Sequence, residues 1–275
     1  MIQLNTLLNT TIFYHNTERI RLMENEYYYN ETVTRFYDAV YDSFPILKAG
    51  SEFYLDEIKN TDGKVLEAGV GTGRIFLPAL KGGADIFGVD YSENMLAKLK
   101  EKLPAKDHYR VWAEDIRRFD AGRSFKLVIS PFRVFQHLLT IDDQLAALNS
   151  IYNVLDDGGR LIFDVFNPDL KRLTNPVENI LEFDGEYLPG HKLQRFASVK
   201  YDHIIQQMDL KFKFIWEEDG LEKTDTFSTP LRYYFRYELE NLVGRTKFKI
   251  ENIYGSFKRE ELNNNSNEQI LVLRK

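Results

Sequence analysis

The sequence predicts an α/β protein: a Rossmann-like, seven-stranded, mostly parallel sheet with helices on both faces, interrupted after its fifth strand by a small antiparallel β insertion. Three observations predict it. Between residues 65 and 168, short apolar runs alternate with segments of helical periodicity, the pattern of successive βαβ units. The first run closes on glycines at every second position, Gly69, Gly71 and Gly73. From residue 193 to 236 the period changes to two, which is how antiparallel strands with one covered face read.

The elements follow in order. Val65 to Ala68, Ile86 to Asp90, Tyr109 to Ala113, Lys126 to Ser130 and Arg160 to Phe166 are the strand candidates, each rich in Val, Ile, Leu or Phe. Pro78 falls early in the helix after the glycines, where it removes a donor, so that helix should start late or kink. Ser92 is placed to cap a helix whose Met95, Leu96, Leu99 and Leu103 recur at three- and four-residue spacing. Thr140 and Asp143 form a capping pair for a second helix with Leu145, Leu148, Tyr152 and Leu155 on one face, and Gly158-Gly159 are expected to stop it. In the insertion, Met208, Leu210, Phe212, Phe214 and Trp216 alternate, and Asp219-Gly220 signals a hairpin. A short helix over 237–243 and strands over 247–254 and 269–273 finish the chain. The expected organisation is a tail over 1–22, a sheet domain over 23–170 and 237–275, and an insertion over 171–236.

Composition sets outer limits. With 43% hydrophobic and 14% aromatic residues in 275, most of the chain should fold around a core. A net charge of −6 argues against nonspecific nucleic-acid binding, which depends on Lys and Arg neutralising phosphates. The absence of cysteine excludes disulfides, thiolate metal sites and a cysteine nucleophile, and suits a cytoplasmic protein. No apolar run reaches the roughly 18 residues of a membrane span, and the first 22 residues lack the basic start and apolar stretch of a signal peptide.

The glycines carry the chemistry. A dinucleotide fingerprint needs G-x-G-x-x-G, and its third position here is Arg74; a P-loop needs G-K-[ST], which does not follow. The pattern present is acid-x-G-x-G-x-G, from Glu67 through Gly73. A carboxylate at the strand end suits a cationic ligand where it would repel a pyrophosphate. Asp90 ends the next strand, 19 positions after Gly71, a spacing that suits a carboxylate accepting from ribose hydroxyls, with a cap of the following helix as the alternative. Asp115 and Ile116 stand just past the third strand.

On these residues the chain resembles the class I S-adenosylmethionine-dependent methyltransferases, most specifically over 65–168. The resemblance implies S-adenosylmethionine as cofactor, with S-adenosylhomocysteine as product. It implies a cofactor site drawn from Glu67, Ala68, Gly69, Gly71, Gly73, Arg74, Asp90, Tyr91, Met95, Glu114, Asp115, Ile116, Ser130, Phe132 and Tyr41. Ser130-Pro131-Phe132-Arg133 departs from the Asn/Asp-Pro-Pro-aromatic run of enzymes that methylate adenine or glutamine amines, which lowers the odds of a nucleobase substrate. Together, "FQHL", the insertion and "YYFRYELENL" are similar to the small-molecule branch that includes amino-sugar N-methyltransferases.

The implied reaction is an in-line displacement onto an N or O atom of a small-molecule acceptor, which requires alignment and no covalent enzyme intermediate. His137 is the candidate base or orienting group, with a packing or capping residue at a helix start as the alternative. Arg133 is a candidate for an acidic acceptor or the cofactor carboxylate, with a surface salt bridge as the alternative. Tyr37, four residues from Tyr41 on one helix face, is a candidate for cation–π contact with the sulfonium, with a core-facing aromatic pair as the alternative. In the insertion, Arg195, Tyr201, Trp216, Arg232 and Tyr233 are candidates for an acceptor pocket. The expected form is a monomer or homodimer, away from membranes. Competing readings are a protein or RNA methyltransferase, a non-catalytic S-adenosylmethionine-binding regulator, and a nicotinamide dehydrogenase.

Overall fold

The computed structural model describes residues 30–275; the expected tail over 1–22 lies outside the described residues. Helix α1 (Glu31–Tyr41) starts where the Asn30 side chain accepts from the Val33 backbone N–H at 3.0 Å. After α2 (Pro45–Lys59) come β1 (Val65–Ala68), α3 (Phe76–Lys81), β2 (Ile86–Asp90), α4 (Glu93–Lys102), β3 (Val111–Ala113) and β4 (Phe125–Ser130). Helix α5 (Ile141–Val154) and strand β5 (Leu155–Phe166) then lead through the short α6 (Leu170–Leu173) into the insertion. The insertion is β6 (Val177–Leu188), β7 (His191–Asp202), β8 (Gln207–Glu218) and β9 (Leu221–Arg232). The chain closes with α7 (Arg236–Gly244), β10 (Lys249–Tyr254) and β11 (Glu268–Arg274).

One seven-stranded sheet has the order β10-β11-β5-β4-β1-β2-β3, and a four-stranded sheet the order β6-β7-β8-β9. In the large sheet β3, β2, β1, β4 and β5 are parallel, while β11 runs antiparallel to β5 and to β10. Every residue of β1 and β2 is buried, because helices cover both faces; this is why those strands read as apolar runs, broken only by Glu67 and the terminal Asp90, and not as alternation. One face packs Leu66, Val128 and Phe163 against Leu148 and Ile151 of α5, and the other packs Val65, Leu127 and Ile129 against Tyr54 and Ile58 of α2. Each such fully buried side chain contributes about 1.5–3 kcal/mol through area removed from water.

The expected caps form. Ser92 accepts from the Met95 N–H at 3.3 Å. Thr140 accepts from the Asp143 N–H at 3.1 Å and donates its hydroxyl to the Asp143 carboxylate at 2.8 Å. Helix α3 begins only at Phe76 and is six residues long, with Pro78 in the first turn, where its missing N–H has no helical partner to lose.

Several boundaries differ from expectation. The helix from Thr140 ends at Val154, and Leu155 caps it while opening β5. Gly158-Gly159 therefore do not stop a helix; they form an irregular excursion between Leu155, paired with Phe125, and Arg160, paired with Leu127. Residues 105–110 form a 3-10 helix, so β3 starts at Val111 and not Tyr109.

In the insertion the strands pair as successive hairpins, and Asp219 and Gly220 both take positive φ (55° and 70°), as the tight turn between β8 and β9 demands. Its inner face is apolar: Leu193, Ala197, Phe212, Phe214, Trp216 and Phe227 pack with Val33, Phe36 and Val40 of α1 and Met95 of α4. Phe36 is fully buried, with ring centroids 4.8 Å from Tyr187, 5.8 Å from Phe214 and 5.2 Å from Trp216. Through Phe36, α1 is fastened to the insertion; through Met95, that packing continues to the large sheet. Among the described residues no helix is long and apolar enough to cross a membrane.

Candidate active site

The chain passes from β1 through β2 to β3 on one side, then returns to β4 on the other, so a crevice opens beyond the carboxyl ends of β1 and β4. Ligands of open α/β sheets sit at such reversals. A cavity of about 140 Å³ lies there. It is lined by Gly69 and Gly71 after β1, Asp90 and Tyr91 at the end of β2, Glu114 to Ile116 after β3, and Phe132 after β4. Met95 of α4 and Tyr37 of α1 close it.

The three glycines share positive φ, at 83°, 53° and 92° for Gly69, Gly71 and Gly73, but serve different ends. A Cβ on Gly69 would strike Val134, and one on Gly73 would strike Leu99 and Leu77, so both are required by packing within the protein. A Cβ on Gly71 would meet nothing within 4 Å. Only there does the bare backbone leave open space at the cavity wall.

Acidic groups surround that loop. Asp90 is fixed by its own neighbours, Oδ2 accepting from the Gly71 N–H at 2.7 Å and Oδ1 from the Ser92 N–H at 2.8 Å. Burial still raises its pKa, against the lowering by those backbone donors. Glu67 is 2% exposed and its Oε2 has no hydrogen-bond partner among the described residues. Burial first, and repulsion by Asp90 second, hold its carboxyl well above the usual carboxylate range. Asp115 experiences burial too, but Arg117 grips both its oxygens at 2.8 to 3.0 Å and the net shift is downward.

Arg74 complements Glu67. Its guanidinium lies over the rings of Tyr37, Tyr41 and Phe132 at 5.7, 5.8 and 5.1 Å, and its Nε and Nη2 are buried without partners among the described residues. Arg74 lines the wall of a neighbouring cavity while Glu67 lies buried in β1, and unpaired donors and an unpaired acceptor so placed are costly unless something completes them. Their chemistry matches a zwitterion with a cationic and an anionic end, which the methionine portion of S-adenosylmethionine presents. Helix α1 is tied to this loop by Asp38, which accepts from the Thr72 hydroxyl and from Lys102 Nζ, each at 2.6 Å. The sequence pointed to Tyr37 and Tyr41; the anchor between them and the glycines is Asp38.

After β4, Phe132 and Arg133 both adopt positive φ, 58° and 73°, a strained conformation for side-chain-bearing residues. Buried Asp164 of β5 holds them there: it accepts from the Phe132 N–H at 2.9 Å, from Arg133 Nη1 at 3.1 Å and from the Tyr54 hydroxyl at 2.7 Å. Arg133 also pairs through Nη2 with Glu268 at 2.8 Å. Its salt bridge is thus internal, not a surface one.

Beyond this loop lies a second cavity of about 310 Å³, walled by α1, the β4 loop and the inner face of the insertion. Tyr37, Phe132 and His137 line both cavities, so the two meet at these side chains. His137 is half-buried by surface because it faces the openings, yet protein surrounds it closely and desolvation pushes its pKa down to about 4. Its imidazole is therefore neutral at pH 7.

The predicted residues divide accordingly. Gly69, Gly71, Asp90, Tyr91, Met95, Glu114, Asp115, Ile116, Phe132, Tyr37 and His137 line the first cavity, and Tyr41, Arg74 and Arg133 line the second. Glu67, Ala68, Gly73 and Ser130 are buried and line neither. Of the five candidates in the insertion, only Arg195 reaches the second cavity. Trp216 is taken up by Phe36, Arg232 by Glu238 at 2.5 Å, and the Tyr233 hydroxyl by His203 at 3.1 Å; Tyr201 stacks on His203. Missed by sequence reasoning were Arg117, Asp164 and Glu182. Asp164 had a legible signal: a lone carboxylate within the apolar run "LIFDVF". Among the described residues no group of three or more His, Asp or Glu is placed to hold a metal.

Comparison with known proteins agrees with this geometry. Residues 65–159 match the family described as methyltransferase domain. An uncharacterised methyltransferase of Bacillus cytotoxicus is 31% identical over 176 residues, spanning 64% of this chain and 77% of the relative. A glycine/sarcosine N-methyltransferase of Parasynechococcus marenigrum is 26% identical over 255 residues, 90% of this chain and 86% of the relative. The S-adenosylmethionine-bound structure of CalS10, an amino pentose methyltransferase from Micromonospora echinaspora, superposes with a TM-score of 0.64 at 17% identity, over 86% of this chain and 95% of that one. With the reversal of strand order, the glycine loop and the acidic strand tips in place, the chain belongs to the class I S-adenosylmethionine-dependent methyltransferases and carries an antiparallel sheet after its fifth strand.

Proposed function

We propose that the protein transfers a methyl group from S-adenosylmethionine, held in the first cavity, to an N or O atom of a small-molecule acceptor held in the second. The single observation that carries this reading is that two cavities of different character meet at Tyr37, Phe132 and His137. Relatives named for glycine, sarcosine and an amino pentose support a small acceptor with a nucleophilic amine.

The bound cofactor supplies an electrophilic methyl on a sulfonium. Everything else falls to the chain. Arg74, over the Tyr37 and Phe132 rings that line both cavities, turns its unpaired donors to the carboxylate of the methionine portion, and Glu67, buried in β1, favours the ammonium by its charge. Gly71 lets the backbone lie close. Asp90, prevented from rotating by Gly71 and Ser92, presents its remaining lone pairs to the ribose hydroxyls. Met95 and Ile116 flank the base, and Asp115, kept ionised by Arg117, accepts from its amine. The Tyr37 ring faces the junction and stabilises positive charge there.

His137 orients. An imidazole with a pKa near 4 is too weak a base to hold a proton taken from an ammonium, but it accepts a hydrogen bond and aims an acceptor lone pair across the junction. Burial of the junction among Phe132, Val134 and Leu138 excludes the water that would solvate the nucleophile.

Calorimetry with S-adenosylhomocysteine, followed by labelled S-adenosylmethionine incubated with a metabolite pool, tests the reading. Binding and a labelled small-molecule product are expected. Well-folded protein that gives no heat with either donor or product overturns it.

A further inference from the structure

Arg195 occupies an unusual place. On β7 it follows Leu193 and precedes Ala197 on the inner face of the insertion, and all three are at most 3% exposed. A strand of that kind is expected to direct only apolar groups inward. The guanidinium instead lies over three rings, Tyr41 at 4.8 Å, Phe44 at 5.7 Å and Phe212 at 4.6 Å. Its Nη2 donates to Glu182 at 2.9 Å, while its Nε is buried with no hydrogen-bond partner among the described residues. Glu182 is itself about one-third exposed in its side chain, at 34%. The pair is thus lopsided, a deeply buried cation against a partly solvated anion, with a donor left over.

The other guanidinium groups of the second cavity have assignments. Arg133 is neutralised by Asp164 and Glu268. Arg74 stands over the glycine loop, opposite Glu67. Most of the rest of the wall is apolar, including Ile46, Leu47, Leu210, Leu231 and Phe257. Arg195 is the cation that the insertion adds to this cavity.

Resting on the two-cavity reading above, we propose that Arg195 docks a carboxylate on the methyl acceptor, so that the substrate class is small, carboxylate-bearing nucleophiles. A guanidinium hemmed in by rings offers its edge, and the two oxygens of a carboxylate match that planar edge. A phosphate dianion would add a second negative charge beside Glu182 with no further cation to meet it. The aromatic walls keep the contact dry, where a charge-assisted hydrogen bond discriminates most strongly between an acid and its neutral amide.

The test reads binding, so simple acids stand in for the true acceptor. Protein saturated with S-adenosylhomocysteine is melted with glycine, acetate, glycinamide, acetamide or inorganic phosphate, at an ionic strength held constant with chloride. The two acids are expected to raise the melting temperature by roughly 2–6 °C at tenfold over their Kd, with the amides and phosphate doing less. Arg195→Met should weaken acid binding by about 30-fold or more while leaving the response to S-adenosylhomocysteine alone unchanged. Glu182→Gln, which removes the competing carboxylate, should tighten it, and gives a second reading should Arg195→Met fold poorly. Equal shifts for acids and amides, a larger shift with phosphate, no shift with any acid, or retained acid binding in Arg195→Met each overturn the proposal. If S-adenosylhomocysteine itself leaves wild-type melting unaltered, the donor reading falls and the inference with it.

Discussion

Gly71→Ala and Gly73→Ala should fail in opposite ways, although the two glycines stand two residues apart in one motif. At Gly71, φ is 53°, an ordinary left-handed value whose cost to alanine is about 1–2 kcal/mol. The new methyl meets no protein atom within 4 Å, so stability should fall by that amount alone. For a chain of this size that is a drop of roughly 2–8 °C in melting temperature. The methyl does, however, stand where a ligand must approach the backbone. An intrusion of that size costs about 1–3 kcal/mol, or roughly 5- to 150-fold in Kd. At Gly73, φ is 92° and the methyl runs into Leu99 and Leu77. Strain of about 1–2 kcal/mol and overpacking of about 1–3 kcal/mol both fall on the fold. Thermal or urea unfolding measures the first quantity, and calorimetry with S-adenosylhomocysteine the second. Gly71→Ala should lose only that modest stability and bind poorly; Gly73→Ala should be markedly less stable, and what remains folded should bind better than Gly71→Ala. If Gly71→Ala binds normally, the open space beside it is not a ligand site and the functional role of the glycine loop is refuted.

Three further outcomes follow from the same geometry. Because the folded-state pKa of Glu67 is raised, the ionised carboxylate destabilises the ligand-free fold as pH climbs above its unfolded value. Glu67→Gln should therefore raise the ligand-free melting temperature more at pH 8 than at pH 5 while weakening S-adenosylhomocysteine, and a uniform loss of stability at both pH values would count against this. For His137 the sign is opposite: the unfolded chain takes up a proton near pH 6.5 and the folded chain only near 4, so stability is lost as pH falls through that interval. The loss is at most about 3 kcal/mol and less to the extent that cavity water reaches the ring; His137→Ala should remove it from a pH series of urea midpoints, and should lower methyl transfer without introducing a new pKa between 6 and 8. Phe36→Ala deletes the ring buried between Tyr187, Phe214 and Trp216, at a cost of about 3–5 kcal/mol. Amide exchange should then accelerate in α1 and the insertion but not in β1 or β4, whereas uniform acceleration would mean that α1 is not a separately fastened element.

Much of the first cavity's lining was legible in the chain because its determinants are local. Strand β1, the glycines and Asp90 lie within a 26-residue stretch, each at the tip of a strand that its own apolar pattern announces. The period of two in the insertion likewise revealed β8 with no reference to the strands beside it. Local pattern misjudged the Gly158-Gly159 pair, since a double glycine reads equally as a helix stop or as the irregularity that Phe125 and Leu127 accept across the strand.

What the sequence by itself determined is therefore the fold class and much of the lining of the first cavity, because those follow from periodicities of 3.6 and 2 and from backbone freedom at single positions. The tertiary structure alone decided which groups face each other. Asp115 is gripped by a neighbour, Arg133 turns inward to Asp164 and Glu268, and Arg195 comes against Tyr41 over a separation that no local pattern spans. Packing of α1 between the glycine loop and the insertion sets the last of these, and packing depends on all surfaces at once, which is why the second cavity emerges only from the folded chain.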